Sequence, residues 1–181
     1  MELRKTNPWP GLFREARKSA FHLEVRDTYA VPSESEPLRR FLDGEPRSDT
    51  PDKSWKVWSS LVGDATGRGV VVSRIRVVTV PLSDYQRWLS TETQENIDVG
   101  EAIRYLSRHL VSAGQVPADD FWLFDDSTVA FNLVDQAGKP AGAAVTTDPS
   151  IAAYCWQVKQ HLWAMATPFD EYFDSAATDP R

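Results

Sequence analysis

The chain has 181 residues, 41% hydrophobic and 25% charged, with seven Trp, eight Phe and five Tyr, which is apolar material for one ordinary core and a single domain. A net charge of −6 argues against a surface made to bind nucleic acid or anionic membrane, because phosphate affinity rests on clustered Lys and Arg and no basic stripe offsets the balance. Cys155 is the one cysteine, which removes a disulfide framework and a Cys-based zinc site and fits a reducing cytosol. Met1–Pro10 has no signal-peptide run, and no segment approaches the roughly 20 apolar residues of a membrane span, so the expected location is the cytoplasm.

Residues 1–8 read as a flexible N-terminus. Trp9 to Ser19 then suits a short helix, with Pro10 in its first turn and Leu12, Phe13 and Ala16 on one side. From Ala20 to Arg26 apolar Phe21, Leu23 and Val25 alternate with His22, Glu24 and Arg26, the period of a strand. The polar side reads first as a solvated face with a cross-strand salt link, and otherwise as the wall of a site. Ser33 to Gly44 is a second helix closed by Gly44. Glu45 to Lys53 has no large apolar residue and reads as a surface loop, and Ser54 to Thr66 is a helix with Trp55, Trp58, Leu61, Val62 and Ala65 on one stripe.

Val70 to Val80 is the longest β-branched run and the best candidate for an interior strand, with Arg74 and Arg76 on one face. Ser83 and Gln86 have capping-box spacing and open a helix that is expected to fray through the polar stretch Thr91 to Asn96. A strand follows over Glu101 to Ser107, then a loop over Ser112 to Ala118. Phe121 to Phe124 is a short apolar run with three aromatics, bounded by Asp119, Asp120, Asp125 and Asp126, and Val129, Phe131 and Leu133 alternate beyond it. That is the pattern of a central strand and its hairpin partner, and the rest of the chain is expected to pack around this pair. Asp135 to Gly138 makes a turn into a third antiparallel strand, Ala141 to Thr147. Asp148-Pro149 opens a long helix with Ile151, Cys155, Val158, Leu162 and Met165 on one face, and Pro168 stops it. One domain over 9–172 is expected, with a disordered tail over 173–181.

Several chemistries lack their residues. His22, His109 and His161 fall in unrelated segments, no His-Glu-x-x-His or Cys pair supplies zinc ligands, and neither a phosphate loop nor a G-x-S-x-G elbow is present. Cys155, mid-helix on an apolar face, reads as an inert buried thiol. The acidic cluster is more informative. Asp126 and Ser127 suit a hairpin turn, whereas Asp120 and Asp125 border an apolar strand, where a carboxylate needs a partner such as Arg74 or Arg76. Two carboxylates could also hold a divalent cation, or one could be held protonated as a general acid by its neighbours.

Phe121-Trp122-Leu123-Phe124-Asp125-Asp126, with Arg74-Ile75-Arg76-Val77-Val78, Pro81-Leu82-Ser83-Asp84-Tyr85, Gly100-Glu101-Ala102-Ile103 and Ala166 to Tyr172, resembles an uncharacterised actinobacterial family known only as a domain of unknown function. The resemblance covers about Phe13 to Tyr172 and implies a companion of helix-turn-helix transcription regulators with no established activity. More distantly, the helix–Gly–strand unit ending at Val80 and the strand–Asp–hairpin after Asp120 look like the phospholipase D fold. That family's motif is His-x-Lys-x4-Asp. Aligning its Asp on Asp125 puts Ala118 and Asp120 in the His and Lys slots, and aligning it on Asp126 puts Asp119 and Phe121 there. The nucleophile is missing either way, so the resemblance implies a non-catalytic relative.

The expected architecture is therefore a single α/β domain with a mixed, phospholipase D-like sheet of about six strands flanked by helices. The expected function is regulatory: binding of a partner helix-turn-helix regulator or a small-molecule effector, with no cofactor, no metal and no direct contact with nucleic acid or membrane. Candidate pocket residues are Arg76, Tyr85, Trp88, Glu101, Asp120, Trp122 and Asp125, polar groups beside aromatics at strand ends. The alternative is a metal-dependent hydrolase or transferase using Asp120 and Asp125. Trp9, Trp55, Trp58, Trp156 and Trp163 on helices add the expectation of an exposed patch and a homodimer.

Overall fold

The computed structural model describes residues 1–5, 7–47 and 53–177. Its centre is an open mixed sheet of eight strands: β1 (Glu2–Arg4), β2 (Ser19–Glu24), β3 (Val71–Val78), β4 (Glu101–Ser107), β5 (Phe121–Phe124), β6 (Thr128–Val134), β7 (Pro140–Thr146) and β8 (Thr167–Pro168). The spatial order is β1-β7-β6-β5-β2-β3-β4-β8, with β2, β3 and β4 parallel and the remaining pairs antiparallel. Among the described residues six α-helices surround it: α1 (Trp9–Glu15), α2 (Ser35–Leu42), α3 (Lys53–Gly67), α4 (Asp84–Asp98), α5 (Pro149–Met165) and α6 (Phe169–Ala177).

Two strands more than the expected six are present because β1 and β8, at three and two residues, are too short to carry a period. β1 pairs with β7, so Glu2–Arg4 are not a flexible lead. At the other end Phe173 of α6 packs against Tyr105 of β4, so the tail expected from 173 is helical to Ala177; residues 178–181 lie outside the described residues. The loop expected over 45–53 lies largely outside them too, with Glu45, Pro46 and Arg47 exposed. α1 stops at Glu15, and the second helix starts with a 3₁₀ turn, Pro32–Glu34.

β5 and β2 lie in the middle of the sheet and are buried on both faces. On one face Phe21, Leu23, Val25, Ile75, Phe121 and Leu123 pack under α5, whose N-cap Asp148 accepts from the backbone N–H groups of Ser150 and Ile151. The other face changes character along the strands. Toward the amino end of β2 it is apolar, where Ala20, Val72 and Phe124 meet Leu12 and Phe13 of α1 and Val62 and Ala65 of α3. Toward the carboxyl end of β2 it is polar, yet α4 and the tryptophans of α1 and α3 still cover it.

Covering a polar face explains α4. The helix continues through Thr91–Asn96 to Asp98 instead of fraying, because Thr93 and Asn96 are buried polar groups that face inward. Thr93 Oγ1 bonds the Leu89 carbonyl one turn back and also receives Arg76. Ser83 caps the helix by accepting from the Gln86 N–H, as the spacing predicts.

Candidate functional site

Strand register places the polar side chains in two transverse rows. His22 lies opposite Trp122 on β5 and Arg74 on β3. One pleat further on, Glu24 lies opposite Arg76, Arg76 opposite Tyr105, and Asp120 lies between Glu24 and Asn132, whose N–H donates to the Asp120 carbonyl. Alternation along each strand thus puts one set of residues into the α5 core and delivers the other to this floor.

Glu24 is the hub. Its Oε1 accepts from Arg74 Nη1 at 2.5 Å and its Oε2 from Arg76 Nε at 2.7 Å. Arg74 also reaches Glu101 at 2.7 Å, while Arg76 donates to Thr93 and to the Tyr105 hydroxyl. Burial opposes ionisation of Glu24, but the two guanidiniums outweigh it and hold its carboxyl well below the usual range. Two arginines and two glutamates cancel, which is how four charges persist where an unpaired one would be costly.

His22, 6% exposed, stacks on Trp122 with ring centroids 4.2 Å apart and planes 12° apart. Burial pulls its pKa down to about 3, so the imidazole is neutral. Its Nε2 lies 3.4 Å from Asn132 Nδ2; its Nδ1 is 3.4 Å from Glu24 Oε1 but too poorly aligned to form a hydrogen bond. Asp120, 2% exposed, accepts from the Val25 N–H at 2.7 Å and lies beside the Tyr29 hydroxyl. Burial dominates there and raises its pKa to about 6.

Above this floor, two adjoining lobes of about 480 and 500 Å³ form one cleft, since both are bordered by His22, Glu34, Arg74, Arg76 and Asn132. Trp9 borders both lobes, Tyr29 and Tyr85 the first, and Trp58 and Trp122 the second, and Tyr85 donates to Glu34 at 2.5 Å. Burial raises the pKa of Glu34 as well. His22 Nδ1, Arg74 Nε and Asn132 Oδ1 are buried without a hydrogen-bond partner. These three unmet polar atoms belong to residues that border the cleft.

Of the residues expected at a pocket, Arg76, Tyr85, Trp88, Asp120 and Trp122 border the cleft. Glu101 is buried behind it as the partner of Arg74. Asp125 is elsewhere. It sits at the far end of β5 from Asp120, and its carboxylate accepts from the backbone N–H groups of Arg17, Lys18 and Ser19 at 2.7–3.1 Å, holding a turn in which Asp125 has φ 51°. Those bonds offset its partial burial and depress its pKa. Nor do Arg74 and Arg76 pair with an aspartate; β2 brings Glu24 between them instead. The polar face of β2 is thus a buried floor and not a solvated one. Glu34, Asn132, Trp9 and Trp58 complete the cleft, and only their three-dimensional placement reveals them. Among the described residues, no group of three or more His, Cys, Asp or Glu could hold a metal ion, and no helix is long and apolar enough to cross a membrane.

The fold is similar to that of Nuc, a phospholipase D family member from Salmonella typhimurium, at 12% identity and a TM-score of 0.54, covering 88% of this chain and 87% of that one. TrmBL2, an archaeal chromatin protein, is similar at 14% identity and a TM-score of 0.47 over 87% of this chain and 48% of that one. No curated protein matches the chain in sequence. A family model does match nearly its full length, residues 8–174, and the chain belongs to that family, the domain of unknown function DUF6879.

Proposed function

We propose that the chain is a non-catalytic regulatory domain whose cleft takes a small-molecule effector, and that occupancy is passed to a partner helix-turn-helix transcription regulator of actinobacterial type. The observation that carries this reading is the cleft itself, where two polar rows with unmet donors and acceptors converge beneath aromatic walls. It opens near the carboxyl ends of parallel β2 and β3, where ligands of open α/β sheets commonly bind. Both arginines are committed to carboxylates and His22 is neutral, so the floor presents fixed polar groups whose charges are already paired. A shared metal site on Asp120 and Asp125 finds no support in this arrangement, since the two flank opposite ends of β5, five residues or roughly 16 Å apart at about 3.3 Å per residue.

The reading is tested by thermal denaturation of the protein with fractionated small-molecule extract, in parallel with a Trp122→Ala variant. A fraction that stabilises the wild type and not the variant supports it. Fractions that stabilise both alike, or neither, contradict it.

A further inference from the structure

This inference deepens the effector reading above and rests on it. Charge accounting in the cleft leaves two carboxylates over. Glu24 and Glu101 are matched by Arg74 and Arg76, whereas Asp120 and Glu34 each meet a tyrosine hydroxyl, Tyr29 and Tyr85 respectively. Among the described residues no ion pair ends on either of them. The remaining cations at the rim are Lys5 and Arg26, and Arg26 faces Asp119 at 3.5 Å. The two tyrosine rings stand 5.7 Å apart, so the spare carboxylates flank a pair of aromatic faces, with the indole of Trp9 bordering the same lobe. Independently of the carboxylates, His22 and Arg74, both more than nine-tenths buried, border this cleft with a polar atom lacking a partner, as does Asn132 with an acceptor oxygen.

We propose that the occupant is a small organic cation, an amine or amidine whose charged head meets Asp120 and Glu34 and whose carbon frame lies against Trp9, Tyr29 and Tyr85. Donors are all that such a head carries, and Asp120, Glu34 and Asn132 Oδ1 are all acceptors. Aromatic faces attract cations through their quadrupole, most strongly where water is excluded. An anion would instead meet two unneutralised carboxylates, and apart from Arg74 Nε the guanidinium N–H groups that face carboxylates could be reached only by displacing Glu24 or Glu101. Burial already penalises the ionised forms of Asp120 and Glu34. Glu24, Arg26 and Tyr29 face Asp120, while Glu24, Arg74, Arg76 and Tyr85 face Glu34, and a cation entering among them favours both ionised carboxylates. Binding therefore expels protons near pH 6 and weakens as the pH falls further.

Benzamidine, benzamide and benzoate share one shape and differ in charge, so they test the assignment directly. In titrations followed by amide and indole NMR, benzamidine is expected to bind at least about tenfold more tightly than benzamide, with benzoate weakest. Asp120→Asn and Glu34→Gln each weaken benzamidine and leave benzamide unchanged. Should one variant fail to fold, the other and the pH dependence of the wild type still decide. Benzamide or benzoate binding in the cleft as well as benzamidine overturns the cation assignment and leaves the effector reading standing. Failure of all three to move any cleft resonance at millimolar concentration contradicts both.

Discussion

Replacing Asp120 with Asn changes how stability responds to pH, and replacing His22 with Gln changes it in the opposite sense. Asp120 has its pKa raised from 3.8 to about 6, so the folded protein holds a proton that the unfolded chain has released. Stability contributed by this group is greatest below the unfolded value and is lost as the pH rises from about 4 to about 6. His22 has its pKa lowered from 6.5 to about 3, so the unfolded chain binds the proton first, and stability is lost as the pH falls from about 6.5 toward 3. Inside its window each group contributes a slope of up to about 1.4 kcal/mol per pH unit. Between about pH 4 and pH 6 the two slopes oppose each other and largely cancel. Asn at position 120 keeps an oxygen for the Val25 N–H, and Gln at position 22 keeps a neutral polar side chain, so each variant removes mainly the titration. Urea denaturation across this range is expected to show the Asp120→Asn variant gaining stability relative to wild type as the pH rises, by about 2–3 kcal/mol at the upper end. The His22→Gln variant is expected to lose stability relative to wild type over the same interval, by a similar amount. Difference profiles that are flat, or that share one sign, refute the argument that burial sets both pKa values.

Glu24→Gln leaves the Arg74–Arg76 pair with one carboxylate partner and an uncompensated buried charge, and is expected to cost about 3–5 kcal/mol in denaturant unfolding. Trp122→Ala removes a ring that touches His22, Phe13, Phe124, Trp9 and Trp58, with an expected cost of about 3–5 kcal/mol by the same measurement. Asp125→Ala leaves three backbone N–H groups without their acceptor and is expected to cost about 1–3 kcal/mol while leaving ligand titrations unchanged, which separates it from Asp120.

Much of the fold is legible in the sequence because its signals are local. The β-branched run at Val71–Val78, the aromatic strand Phe121–Phe124 and the Asp148-Pro149 helix start each declare themselves within a few residues. β1 and β8 do not, since they exist only through pairing with β7 and β4. The site is legible in halves. Arg76, Tyr85, Trp88, Asp120 and Trp122 lie on the elements where their pattern places them. Glu24 and His22 alternate with apolar neighbours as a solvated face would, and a period of two cannot say that α4 and two tryptophans lie over it. Asp120 and Asp125 look equivalent in sequence because both flank one strand. The floor needs a carboxylate at the first end, while the turn at Arg17–Ser19 needs one at the second.

The central claim, a ligand cleft over the carboxyl ends of β2 and β3, is most directly tested by the indole N–H resonances of the seven tryptophans. Trp9, Trp58 and Trp122 border the cleft, as do Trp55 and Trp88, whereas Trp163 packs with the α5 core and Trp156 is exposed on α5. Titration with an active extract fraction or with benzamidine is expected to move the first three and leave Trp156 and Trp163 in place. Shifts centred on Trp156 or Trp163, with the cleft indoles unmoved, would contradict the account.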